Sequence, residues 1–190
     1  FNASDIAKSV SVDITTIQSW IRILEQNGVL RQVQSFSNNA NNRLIKSPKY
    51  YFEDVALAVR LQGWSEYQPM QLSPAYGSLL ENIACSEISR FFINRGESVQ
   101  LYFIRSKEKV EIDFLIPLPN NKYLTAEVKS SAQKFSSAQV KLLESLKLNI
   151  VGRWIITPNE NFEGNGYKVL PVTQIWEELA RLCPADNTVL

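Results

Sequence analysis

Between Val110 and Ser131 the chain reads VEIDFLIPLPNNKYLTAEVKSS. Two apolar runs flank a Pro/Asn turn, and each carries charges two residues apart. Glu111 and Asp113 stand in the first run, Glu127 and Lys129 in the second. Side chains on a strand alternate between faces. Glu111, Asp113 and Leu115 therefore share one face, and Val110, Ile112, Phe114 and Ile116 the other. On the second run Thr125, Glu127 and Lys129 share a face, opposite Leu124, Ala126 and Val128. The loop Leu118–Lys122 joins the two runs as a hairpin. With Asp113 opposite Glu127, Ile116 faces Leu124 and Glu111 faces Lys129, so every charge gathers on one face and every large aliphatic on the other. Two readings follow. Either the carboxylates and the ammonium converge as a site, or they form a solvated strand face with a surface ion pair.

Working outward, LSPAYGSLLENIACSEISRFFINRGE reads as a helix, with Pro74 suited to its start and Gly96 to its end. Glu81 lies in its first turns, among the apolar residues Leu79, Leu80, Ile83 and Ala84. A strand at Val99–Ile104 follows, then Arg105 and the charged turn SKEK, then the hairpin. Ser136–Leu148 reads as a second helix, Arg153–Thr157 as a buried strand, Tyr167–Pro171 as an edge strand and Thr173–Cys183 as a closing helix. The crossover through the second helix returns a strand parallel to its neighbour. Helix, three antiparallel strands, helix and parallel strand, with acids on the first helix and second strand and Glu-x-Lys on the third, is similar to the PD-(D/E)XK nuclease core.

The first third has a different pattern. NASDIAKSVSVDITTIQSWIRILEQNGVLRQV reads as a short helix, a turn and a longer helix whose apolar face is Ile14, Ile17, Trp20, Ile21 and Leu24. Asn27-Gly28 stops it, and Val29–Phe36 and Leu44–Phe52 read as two strands around the polar loop SNNANNR. Helix–turn–helix plus hairpin is the outline of a winged helix. The exposed side of its second helix carries one cation, Arg22, opposed by Glu25. The wing is richer, with Arg31, Arg43, Lys46 and Lys49, so phosphate contacts are expected there more than on the helix. Docking to a protein is the other reading of this module. The expected division is a winged helix over about residues 1–68, a separate α/β (α+β) domain over about 69–183, a mixed sheet flanked by helices, and a tail at 184–190.

Composition narrows the chemistry. The 190 residues carry a formal net charge of +1, so no global basic field announces a nucleic-acid partner. There is no histidine, which excludes Ser-His-Asp triads, Cys-His pairs and His-zinc sites. The two cysteines, Cys85 and Cys183, lack metal-ligand spacing and suit a reducing, cytoplasmic setting. Any catalysis rests on carboxylates, lysine and a hard metal. No apolar run is long enough to span a bilayer, and the phosphate-binding pattern GxxxxGK[ST] is absent. The chain starts at Phe1 inside an apparent motif and reads as a fragment of a longer protein.

TTIQSWIRILEQNGVL, RLIKSPKYYFEDVAL, YGSLLEN, LYFIR, VEIDFLI and AEVKSS together resemble the C-terminal region that follows the ATP-binding domain in many prokaryotic AAA-type ATPases. Val55-Ala56 stands where that family usually has Thr-Gly, and Ile104 where it usually has an aromatic residue. The resemblance implies an ATPase domain upstream, which would bind the ATP and be a partner of this region. It also implies a winged helix joined to a nuclease-like domain, for which two roles are expected: an effector acting on DNA, or a targeting region that binds nucleic acid or another protein.

In an active site of the nuclease type, Asp113 and Glu127 would hold Mg²⁺ (or Mn²⁺), with Glu81 reaching in from the helix. Lys129 would orient the attacking water or stabilise charge on the phosphate. Glu111 would pair with Lys129 or support the ligands, and Arg105 would hold a phosphate beside the site. Gln139 reads first as an exposed helix residue. The alternative is an ion-paired network on a frame that binds without cleaving.

Overall fold

The computed structural model describes residues 3–36, 47–164 and 166–184. Helices α1 (Ala3–Ser9) and α2 (Ile14–Gln26) bury Ala7, Ile17 and Ile21 between them and against the hairpin β1 (Leu30–Ser35) and β2 (Lys49–Phe52). Gly28 takes φ +67 just past α2, a left-handed conformation that glycine adopts freely, so the Asn-Gly stop acts as expected. Arg43 and Lys46 lie outside the described residues, as does most of the tail.

Two short helices, α3 (Val55–Leu61) and α4 (Tyr67–Gln71), follow the hairpin in a stretch to which sequence reading assigns no element. Asp54 caps α3 by accepting from the Ala56 N–H, a start signal present in the sequence. The long helix α5 (Tyr76–Asn94) then packs its apolar face on the sheet. Strands β3 (Tyr102–Arg105), β4 (Glu111–Leu118) and β5 (Lys122–Val128) form the antiparallel meander. Helix α6 (Ser137–Ser145) crosses over to β6 (Asn149–Thr157), which runs parallel to β5. The short β7 (Phe162–Gly164), β8 (Tyr167–Pro171) and α7 (Ile175–Leu182) complete the chain. Helices α5 and α7 cover one face with Ile88, Phe91, Ile175 and Leu179, and α6 covers the other with Leu143 and Leu146. The fold is thus a helix–turn–helix and wing followed by a mixed sheet flanked by helices, in the nuclease-like order.

The two halves do not carry separate sheets, and that expectation is corrected. Strand order is β2-β1-β3-β4-β5-β6-β8-β7 in one eight-stranded sheet of described residues. The join is β1 beside β3 in parallel, Gln34 opposite Tyr102 and Ser35 opposite Phe103. Phe36 seals it, donating its N–H to the Phe103 carbonyl at 2.7 Å and packing its ring edge-on against Tyr102 and Tyr123. Val33 and Phe36 flank the paired residues of β1 and need burial, and the edge of β3 offers unpaired backbone groups. Together they extend the sheet into the wing.

The β4–β5 register is the expected one, with Ile116 opposite Leu124. The face assignment is not. Against β3, Tyr102 pairs with Leu115 but Ile104 pairs with Ile112, so Asp113 and Phe114 together oppose Phe103 alone. This β-bulge holds both side chains toward α5. Ile112 and Leu115 consequently face α6, while Phe114 and Ile116 face α5, and large apolar residues fill both faces.

Candidate functional site

The bulge opens a gap in the sheet. The regular β4–β5 pairing ends at Phe114 and Ala126. Beyond it the Asp113 carboxylate accepts the Val128 N–H at 3.0 Å, and the Glu127 carboxylate accepts the Asp113 N–H at 3.3 Å. The two acids replace ladder hydrogen bonds where the strands part. They reach the gap from opposite sides. Asp113 comes from the α5 face, and Glu127, alternating with Ala126 and Val128 of the α5-side core, from the α6 face. The expected opening of Asp113, Glu127 and Lys129 on a single face is therefore corrected, the bulge being the cause.

On the α5 side stand Glu81 from α5 and Glu111 and Asp113 from β4, with one oxygen of each lying within 4.8 Å of the others. Lys49 of the wing enters this group. Its Nζ lies 2.6 Å from Glu81 and 3.5 Å from Asp113, pairs with Glu111, and sits 5.3 Å from the centre of the Phe103 ring. Burial pulls the ammonium toward release of its proton, but Glu81, Asp113 and Glu111 outweigh this and hold its pKa above the ordinary lysine range. Expected as an exposed phosphate contact, Lys49 is instead largely buried. Lys49 and Tyr51 alternate onto the same face of β2, and Tyr51 donates its hydroxyl to Glu81. Burial and the Glu81 charge push the Tyr51 hydroxyl well above its usual range.

Arg105 donates its Nε to Glu111 at 2.6 Å. Burial alone would raise the Glu111 pKa, but its bonds to Arg105 and Lys49 lower it. Asp113 is different. Burial first, then the charges of Glu127 and Glu81, push its pKa up to about 7. On the α6 side Lys129 pairs with Glu127 at 2.9 Å. Burial raises the Glu127 pKa against the pull of Lys129 and of the Gln139 amide. Gln139, read as an exposed helix residue, forms a capping box with Ser136 and donates its Nε2 to the Glu111 carbonyl at 2.9 Å.

The structure brings together Glu81, Asp113, Glu111, Lys49 and Arg105, and sets Glu127 with Lys129 across the gap. Arg22 stands apart on α2. Sequence reading missed Asn82, which is buried on α5. Its side chain accepts the Phe52 N–H at 2.9 Å and donates to the Phe52 carbonyl at 2.7 Å, closing the free edge of β2. Nothing in its local sequence distinguishes Asn82, but the period-two pairing of Lys49 and Tyr51 in SPKYYF was a readable signal.

The three clustered carboxylates could supply oxygen ligands to Mg²⁺, yet the Lys49 ammonium already occupies the space among them. Seating a divalent ion there requires Lys49 to leave, so the residues as placed do not fit the metal.

The chain belongs to the family described as Domain of unknown function (DUF4143), whose model matches residues 76–175, more than half of the chain. A second, Domain of unknown function (DUF8612), matches residues 1–68. Uncharacterized protein Rv2008c of Mycobacterium tuberculosis (strain ATCC 25618 / H37Rv) is 24% identical over 161 residues, 85% of this chain and 35% of the relative. Uncharacterized protein Mb2031c of Mycobacterium bovis (strain ATCC BAA-935 / AF2122/97) matches with the same identity and coverage. The chain thus spans about a third of the length of the curated relatives it matches. No solved structure matches it. No described helix is long and apolar enough to cross a membrane.

Proposed function

We propose that this chain is a binding module on a nuclease-like frame, which directs an AAA-type ATPase to its target and does not itself cleave phosphodiesters. One observation carries this reading: the Lys49 ammonium sits among Glu81, Glu111 and Asp113, in the place a catalytic metal would need. Every carboxylate around the gap already has a cation. Lys49 serves Glu81, Glu111 and Asp113, Arg105 serves Glu111, and Lys129 serves Glu127. Such a network suits a joint between two parts of a fold better than a site that exchanges metal and product. The joint is continuous with the backbone ties of Phe52 to Asn82, so withdrawing Lys49 would disturb β2 as a whole.

The ATPase association is supported by the sequence resemblance and by the much greater length of the relatives. ATP would then be bound outside this chain, and the module would act in the cytoplasm, as its free cysteines suit.

The competing reading is a Mg²⁺- or Mn²⁺-dependent phosphodiesterase with Asp113, Glu127 and Glu81 as ligands and Lys129 in the reaction. Calorimetric titration with each ion, beside a cleavage assay on single- and double-stranded DNA, separates the two. The binding-module reading expects no saturable uptake at millimolar ion and no cleavage. Saturable binding that Asp113→Ala abolishes, together with metal-dependent cleavage, would overturn it.

A further inference from the structure

The wing and α2 enclose a cleft of about 720 Å³ whose walls come from both halves of the fold. Gln18 and Arg22 of α2 line it from one side, Gln32 and Tyr50 of the hairpin from the other, and Arg105 of β3 also lines it. Resting on the binding-module reading, we infer that this cleft takes a single-stranded nucleic acid, with Arg22 and Arg105 gripping its phosphates.

Arg105 is a prepared anion receptor. Its Nε is fixed by Glu111 at 2.6 Å, and its guanidinium carbon lies 5.4 Å from the centre of the Phe103 ring. Both terminal nitrogens, Nη1 and Nη2, have no hydrogen-bond partner among the described residues. A guanidinium held at one nitrogen and backed by a ring presents the other two as a fork for phosphate. Arg22 has no ion pair among the described residues and is exposed on α2, where it lines the same cleft.

The rest of the cleft favours nucleotides over an acidic peptide. Ile14 and Ile21 give it an apolar floor, and the Tyr50 ring flanks the opening. A nucleic-acid strand alternates charged phosphates with flat apolar bases, and aromatic and arginine faces accept such bases in any sequence. The amide of Gln18 offers a donor and an acceptor suited to a base edge, while Gln32 is held in place by Tyr50 and Gln34. A duplex is read by a helix that protrudes into its groove. Here Gln18, Arg22 and Glu25 of α2 line a cleft whose other wall is the hairpin, so these positions are offered to a strand lying in the cleft and not to a groove that the helix enters. Glu25 also lines the cleft, so few phosphates are neutralised and a shallow salt dependence is expected.

Fluorescence anisotropy of a labelled oligothymidine, titrated with the whole chain in EDTA, tests this without involving metal. Binding should exceed that of a duplex of equal length. Its salt dependence should correspond to about two phosphates, a slope of about −1.4 on logarithmic axes. Arg22→Ala and Arg105→Ala should each weaken binding about tenfold, equal to about 1.4 kcal/mol. Arg22→Ala breaks no ion pair among the described residues, so its effect is read on an intact fold. Lys141→Ala, an exposed cation on α6, should leave binding unchanged. Absent binding, equal binding to the duplex, loss of bound oligonucleotide to polyglutamate at equal charge, or no response to either arginine variant would each overturn the inference. None of these outcomes bears on whether the acidic cluster takes a metal.

Discussion

Lys49 and Lys129 stand on opposite sides of one gap in one sheet, and both are held by carboxylates. Lys129 is half-buried and answers a single acid. Lys49 is nearly enclosed and answers three acids from two elements. The difference shows how the same charge types do different work. Across the Glu127 side an ion pair decorates a strand end. Across the Glu81 side one ammonium from the wing binds the sheet and α5 together, and it arrives from a part of the chain where cations were expected to face solvent.

The largest effect that could break this contrast is removal of Lys49. Lys49→Ala leaves Glu81, Glu111 and Asp113 facing one another without their shared cation. Breaking a buried pair from one side costs about 3–5 kcal/mol. Urea unfolding of Lys49→Ala should show a loss in that range, and Lys49→Met, which keeps the stem, should recover little of it. A loss under about 1 kcal/mol would place Lys49 among ordinary surface cations.

Coupling to Glu81 sharpens the point. If Lys49 and Glu81 act as one unit, Glu81→Gln in the Lys49→Ala background should cost less than Glu81→Gln alone. The double-mutant cycle should then return about 1–3 kcal/mol of interaction. Additive losses would mean that the 2.6 Å contact carries no energy of its own.

These two residues also mark what the sequence could and could not tell. The order of helix, meander, crossover and parallel strand was legible because hydrophobic periodicity and turn chemistry agree along Tyr76–Thr157. Glu81, Asp113, Glu127 and Lys129 stood out because acids and lysine among apolar helix and strand residues need an explanation. The bulge at Asp113–Phe114 was not legible. It depends on β3 supplying only Phe103 opposite two residues, which no local pattern in β4 records. The entry of Lys49 depends on β1 docking beside β3, a long-range pairing that turned two expected domains into one sheet.

Asp113 gives a pH test of the α5 side. Its folded pKa of about 7 lies above the ordinary carboxylate range, for burial and for the nearby charges of Glu127 and Glu81. The folded state therefore holds a proton that the unfolded chain releases between about pH 4 and pH 7. This group's contribution to stability is full at the acid end of that window and declines as pH rises through it. Glu111, held low, contributes in the opposite sense, so its part appears above the unfolded carboxylate pKa and is lost in acid. Asp113→Asn should flatten the decline between pH 5 and pH 7 without touching the acid-side loss from Glu111. An unchanged profile in that variant would assign the buried proton elsewhere.

The smallest effect belongs to Lys129, and its pH dependence separates the two lysines most cleanly. Lys129→Ala removes the cation 2.9 Å from Glu127, whose carboxylate is buried. Glu127 has an escape that the Lys49 cluster lacks. Its pKa is already raised by burial and is restrained chiefly by Lys129, so loss of the ammonium shifts it further toward its neutral form. It still accepts the Asp113 N–H. Since Lys129 is partly exposed, its pairing is discounted by solvent, and the loss at pH 8 should be about 1 kcal/mol. That loss should shrink toward pH 5, the direction in which burial favours the neutral Glu127 carboxyl. Lys49→Ala should keep a deficit of several-fold greater size across the same range, because no single proton neutralises three carboxylates. Thermal melts of both variants at the two pH values check this. If Lys129→Ala proves as costly as Lys49→Ala and equally indifferent to pH, the two sides of the gap form one network, and the contrast between them fails.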